Sequence, residues 1–152
     1  GHAMFGEALA DDLFDVVMVG FNILNPSARQ RVFPATREKD VGTLIMFAVR
    51  EALSRPDELE KVVGQLIERG ELDAGSVDAA DPLGFLGDAQ AVVEAAYRFC
   101  RHEPGAHVVL TGTGDPEHLK ANVAAIQRPP LSPEIMARLD AIFGRVDSVS
   151  GN

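Results

Sequence analysis

Residues 108–123, VVLTGTGDPEHLKANV, decide how this chain is to be read. A short run of β-branched and apolar residues (Val108, Val109, Leu110, Thr111) gives way to Gly112-Thr113-Gly114, and a helical pattern opens at Asp115-Pro116. The order is strand, glycine turn, helix start. Glycine permits a tight backbone turn and puts no Cβ in the path of a ligand. The first N–H groups of a helix lack internal partners and sit at the positive end of its dipole, which makes them a site for phosphate. Asp115 suits the N-cap and Pro116 the first helical position. An ordinary strand-to-helix turn is the plainer alternative, because short glycine turns are common.

Working outward, Pro130-Leu131 precedes a last helix with Ser132 as N-cap, Pro133 in its first turn, and Ile135, Leu139, Ile142 and Phe143 on one face. Towards the amino terminus, residues 5–12 read as helical. Residues 14–21 (FDVVMVGF) and 41–47 (VGTLIMF) are continuous apolar runs, as expected of strands buried on both faces. Asn25-Pro26-Ser27 opens a helix over about residues 27–39, which Pro34 should bend or split. Strands alternating with helices imply a parallel sheet with right-handed crossovers, hence an α/β fold of three parallel strands and about six helices.

The connection between the second and third strands is too long for a simple crossover. Residues 57–69 form an amphipathic helix with Leu59, Val62, Val63, Leu66 and Ile67 on one face, stopped by Gly70. An Asp-, Gly- and Pro-rich stretch follows, then a helix over about residues 88–103. Residues 51–87 read as a helical insertion at the carboxyl end of the second strand, within a single domain spanning 1–152. Such an insertion either covers a site or only shields the rim.

Composition narrows the function. With 152 residues, the chain has room for one domain with a real core. A net charge of −9 argues against nucleic acid or an anionic membrane as partner. No apolar run is long enough to span a bilayer. The one cysteine, Cys100, lies in a helical stretch and reads as a small buried hydrophobe, and a lone thiol fits a reducing cytoplasm. The opening Gly1-His2-Ala3-Met4 is either a cloning remnant or native helix. No spacing suggests a Ser-His-Asp set, a carboxylate pair or a metal cluster.

Four stretches in order, FDVVMVGFNILNP, GTLIMFAVREAL, AAYRFCRHEPGAHVVLTGTGDPEHLKANVAAI and PPLSPEIMARL, resemble the last part of an aldo-keto reductase. The resemblance runs over about residues 15–144 apart from the insertion, and is most specific in the final strand and helix. It implies a TIM-type (β/α)8 barrel, of which the three strands here are six, seven and eight, binding NAD or NADP at the carboxyl ends of the strands. By that resemblance Phe47 stacks on the nicotinamide, Gly112, Thr113 and Gly114 hold the adenosine phosphate end, and Asn122 contacts adenine. Thr113 has a hydroxyl to give to a phosphate or ribose oxygen. Arg50 is a candidate clamp for the pyrophosphate, with a surface salt bridge as the plainer reading.

The departures matter too. Gly112 and His118 stand where NADP-preferring members carry basic residues. A neutral histidine cannot replace a bidentate arginine on a 2′-phosphate, so weak discrimination against NADH, or a preference for it, is expected. Met18 and Ala121 replace the glutamine and the acidic residue of the pattern. The family's tyrosine, lysine, aspartate and histidine all come from the first half of the barrel, before the matching part. Tyr97, the only tyrosine, lies in the helix before the last strand and reads as a packing residue; His102 and His107 belong at the opposite rim.

The leading expectation is therefore the cofactor-binding part of a reductase that passes a hydride between nicotinamide and a carbonyl or alcohol, silent by itself and a piece of a longer enzyme. Three parallel strands leave two free edges, so self-association or an amino-terminal half is expected as partner. A non-catalytic nucleotide-binding or interaction module on a half-barrel is one alternative. A plain β/α phosphate site for a nucleotide or sugar phosphate is the other.

Overall fold

The computed structural model describes residues 2–149; Gly1 of the opening tetrapeptide and residues 150–152 lie outside them. Strands β1 (Val16–Gly20), β2 (Gly42–Met46) and β3 (Val108–Val109) form one parallel sheet in the order β1-β2-β3. Val16 lies opposite Gly42, Gly20 opposite Met46, and Leu44 opposite Val108. All three strands are shorter than their apolar runs. The third keeps one further bond, from Leu110 N to the Ile45 carbonyl at 3.0 Å.

Among the described residues eight α-helices accompany the sheet, where the sequence suggested about six. Helix α1 (Ala3–Ala10) precedes β1, and the β1–β2 crossover carries α2 (Ala28–Arg31) and α3 (Phe33–Glu38). The break at Val32 is the split expected from Pro34, which lacks the N–H that would continue a helix. After β2 come α4 (Glu51–Ser54), α5 (Pro56–Glu68) and α6 (Ala89–Arg101). Gly70, at a φ of +71°, follows α5 in the left-handed turn that releases the chain. Helices α7 (Pro116–Ile126) and α8 (Pro133–Phe143) start as their caps indicate: the Asp115 carboxylate accepts from Glu117 N at 2.8 Å, and the Ser132 hydroxyl from Ile135 N at 3.4 Å. Ser27 behaves differently. Its hydroxyl donates to the Asn25 carboxamide at 2.6 Å instead of capping α2.

The expectation of strands buried on both faces is corrected. Side chains alternate along a strand, and helices cover only the face that carries Val19, Thr43 and Ile45, all buried. The other face leaves Val16 52%, Met18 48%, Val108 47% and Leu110 38% exposed. In a closed barrel that face points into a lumen filled by side chains from the remaining strands. Three strands cannot close, so the lumen side stays bare.

On the covered side, Phe21 packs edge-on against Phe33, with centroids 5.1 Å apart, and stacks on Phe99 at 5.2 Å. Cys100 is buried beneath them and donates to the Phe21 carbonyl; burial holds its thiol far above the usual range, as suits a packing residue. His107 accepts from Thr43 N at 3.0 Å and His102 bonds the Arg128 carbonyl at 2.8 Å, so both sit at the amino-terminal rim of β3. No described helix is long and apolar enough to cross a membrane.

Candidate functional site

The chain leaves the carboxyl ends of β1 and β2 through unusual backbone. Phe47, the residue after β2, has a φ of +58°, a left-handed conformation that costs a non-glycine residue about 1–2 kcal/mol. Asn22, just past β1, holds it there: its side-chain nitrogen donates to the Phe47 carbonyl at 3.0 Å, and its carboxamide oxygen accepts from Asn25 N at 3.0 Å. Asn22 is buried, so these bonds act away from water. The twist turns the Phe47 ring out of the sheet, 36% exposed, onto the lip of a cavity. Sequence reasoning missed Asn22. Its only signal was a polar residue immediately after an apolar strand, three positions before Asn25.

That first cavity, about 440 Å³, lies over the ends of β1 and β2. Its walls are mostly apolar, with Met18 and Met46 from the bare sheet face, Phe5 from α1, and Phe47 at the mouth. Polar groups are few: His2, Asn22, Asn25 and Arg50 among them. His2 ties α1 down through its ring nitrogens, 2.7 Å from the Ser27 hydroxyl and 2.8 Å from the Gly20 carbonyl. Burial holds its pKa below the usual histidine value.

A second, wider cavity of about 930 Å³ opens between α4, α6 and α7. It is lined by Gly112, Thr113, His118 and Asn122, and by Arg50. Arg50 lines both cavities and is itself buried; burial lowers the pKa of its guanidinium. Six of the seven candidate residues thus gather on two adjoining spaces joined at Arg50. Gly114 lines neither. No residue between 55 and 88 lines either one, so most of the 51–87 segment stands away from these spaces.

Two readings of the glycine turn change. Neither Gly112 nor Gly114 has a positive φ, so the turn does not demand glycine. A Cβ built at either meets nothing within 4 Å, and what Gly112 supplies is open space beside the cavity. The start of α7, expected to offer its free N–H groups to phosphate, already holds an anion: the Asp115 carboxylate caps it, with Glu117 in the first turn. Two carboxylates there oppose a phosphate at the helix tip. The cations on the cavity wall are Arg50, deep in the cleft, and Lys120, which pairs with Glu117 at 2.7 Å. Thr113 accepts from Asp115 N at 3.1 Å and keeps its hydroxyl proton for another partner. His118 is exposed and lies 3.9 Å from Asp115.

Asn122 points back towards the sheet. Its side-chain nitrogen donates to the Thr111 hydroxyl at 2.9 Å, and the same hydroxyl lies 2.8 Å from the Tyr97 phenol. Tyr97 is buried, as a packing residue should be, and burial pushes its phenol up. The polar link to Thr111 was not visible in sequence, since the three residues come from different elements.

No protein-family model matches the chain, and no curated protein matches it. Solved structures do. The apo form of aldo-keto reductase AKR11C1 from Bacillus halodurans superposes with a TM-score of 0.65 at 20% identity, over 95% of this chain and 49% of that one. Its holo form gives 0.63 at 21% identity, over 95% and 48%. The chain therefore spans about half the length of these structures. At this identity the likeness is one of fold: an α/β part of an aldo-keto reductase TIM barrel, consistent with its carboxyl-terminal part.

Proposed function

We propose that this chain is the dinucleotide-binding, carboxyl-terminal portion of an NAD(P)-dependent aldo-keto reductase. The observation that carries the reading is the pair of adjoining cavities joined at Arg50, with an aromatic ring on one and an open glycine and an asparagine on the other. A dinucleotide has that shape: a flat ring at one end, a charged pyrophosphate in the middle, an adenosine at the other. Phe47 would face the nicotinamide by offset stacking. Arg50 would meet the pyrophosphate, Thr113 and the backbone of Gly112–Gly114 the adenosine phosphate end, and Asn122 the base. The carboxylate at the tip of α7 moves the expected phosphate position off the helix end and towards Arg50.

When bound, the dinucleotide supplies or takes the hydride exchanged with a carbonyl or alcohol carbon. The chain's own residues orient it and keep the first cavity apolar. Tyr97 cannot serve as the proton donor: it lies in the other cavity, buried and bonded to Thr111. The proton comes from a tyrosine outside this sequence, on an amino-terminal half that also covers the bare sheet face; a second copy of the chain is the other way to cover it. A lone buried thiol suits a cytoplasmic protein. The 51–87 segment acts as a structural appendage in this reading.

Calorimetry with NADH and NADPH, alongside the mass of the chain in solution, tests the proposal. Both dinucleotides are expected to bind at micromolar to low-millimolar Kd, with NADPH no more than about tenfold tighter than NADH, because His118 stands where a bidentate arginine would grip a 2′-phosphate. NADPH bound more than about tenfold tighter, roughly 1.4 kcal/mol, contradicts the cofactor part. Gly112→Val should abolish binding while leaving the melting temperature unchanged, since its Cβ meets no protein atom. A folded chain that binds neither dinucleotide overturns the reading. Aldehyde reduction by the purified chain is expected to be undetectable, and clear turnover contradicts the assignment of the proton donor.

A further inference from the structure

We propose that Tyr97 is a positioning residue: acting through Thr111, it sets the Asn122 carboxamide so that the second cavity prefers a purine carrying an amino group over one carrying a carbonyl. The inference rests on the dinucleotide reading of that cavity and adds the group that decides which base it takes.

The observation is a chain of hydrogen bonds in which Thr111 stands between Asn122 and Tyr97. Asn122 donates from its side-chain nitrogen to the Thr111 hydroxyl at 2.9 Å, and Thr111 lies 2.8 Å from the Tyr97 phenol oxygen. Thr111 has a single proton. In the proposed arrangement Thr111 gives that proton to Tyr97, which leaves none for the carboxamide, and Asn122 meets Thr111 through nitrogen, the contact seen here. The phenol proton is then free to point into the cavity that Tyr97 lines. Bonds running one way polarise one another and strengthen the set. Among the described residues nothing bonds the carboxamide oxygen of Asn122, which also lines the cavity. The cavity therefore presents an acceptor at this point. An amino group satisfies an acceptor, whereas a carbonyl oxygen faces it with like partial charge.

The three residues are anchored separately, which makes the geometry firm. Tyr97 is fixed in the buried face of α6, Thr111 two residues past β3, and Asn122 in the second turn of α7. If the phenol oxygen is removed, the Thr111 proton has no acceptor on that side and turns to the carboxamide oxygen. The amide then presents nitrogen to the cavity, and the preference between bases falls or reverses.

The test uses NADH and its hypoxanthine analogue, in which a carbonyl replaces the adenine amino group, with the intact chain. Wild type is expected to bind NADH about tenfold more tightly than the analogue, the scale of one discriminating hydrogen bond. Tyr97→Phe should lose most of that preference. Thr111→Val, which removes the shared hydroxyl without changing shape, should do the same and serves if Tyr97→Phe folds poorly. In an Asn122→Ala background, Tyr97→Phe should have no further effect on the ratio. A Tyr97→Phe chain that keeps the wild-type preference, or weakens both ligands equally and additively with Asn122→Ala, overturns the positioning role and leaves the dinucleotide reading standing. Failure of wild type to bind either ligand overturns both.

Discussion

Phe21→Ala is expected to lower stability by about 3–5 kcal/mol, the range for removing a fully buried aromatic ring. Phe21 has no exposed surface, packs edge-on to Phe33 and stacks on Phe99, and its backbone ties β1 to its neighbours: its N–H donates to Met46 and its carbonyl accepts from Cys100. The ring lies where the sheet, α3 and α6 meet, so no single element can move in to fill the hole. A domain of this size has about 5–15 kcal/mol to lose, and each kcal/mol shifts Tm by about 2–4 °C. Thermal unfolding should therefore show a Tm lower by roughly 6–20 °C, and urea unfolding a lower midpoint. A loss below about 1.5 kcal/mol would mean that the aromatic cluster is not the centre of the core.

The second large effect is expected at Arg29. Its guanidinium grips Glu103 in a two-point contact, at 2.9 and 2.7 Å, and reaches Asp140 at 2.6 Å. The Glu103 side chain is only 6% exposed and that of Arg29 23%. Burial works against the charge on Arg29, yet the bonds from Glu103 and Asp140 outweigh it and hold the guanidinium above its ordinary pKa. The Phe99 and Phe21 rings lie 5.4 and 5.9 Å from it. Arg29→Met leaves the Glu103 carboxylate buried without its cation. The expected cost is about 2–3 kcal/mol, below that of a fully buried pair because water still reaches part of the arginine. Adding Glu103→Gln should return part of that loss, since the orphaned charge is what costs most. Because the Arg29 guanidinium lies over the Phe21 ring, their substitutions should also couple by about 0.5 kcal/mol or more. A chemical denaturation series on the four variants checks both points. Arg29→Met within about 0.5 kcal/mol of wild type would show the pair to be mere surface decoration.

Much of the fold was legible because local rules govern it. Asp115-Pro116 and Ser132-Pro133 marked two helix starts, Gly70 marked an ending, and Pro34 marked the break between α2 and α3. Each acts through its own backbone within a few residues. The strands were located by their apolar runs but misjudged in burial. Periodicity says that both faces of FDVVMVGF are apolar, yet not whether protein covers both. The candidate site divides the same way. Gly112, Thr113, His118 and Asn122 lie close in sequence, and one strand-turn-helix unit brings them to one cavity.

The sequence by itself determined the α/β order, the parallel sheet and the residues around the glycine turn, since hydrophobic period, caps and breakers act over short distances. Only the tertiary structure decided the rest. It left the lumen face of the sheet bare, twisted Phe47 outwards under the hold of Asn22, and joined Tyr97, Thr111 and Asn122 into one chain of bonds. Coverage of a face and the partner of a side chain depend on which distant elements arrive beside it, and no local pattern encodes that arrival.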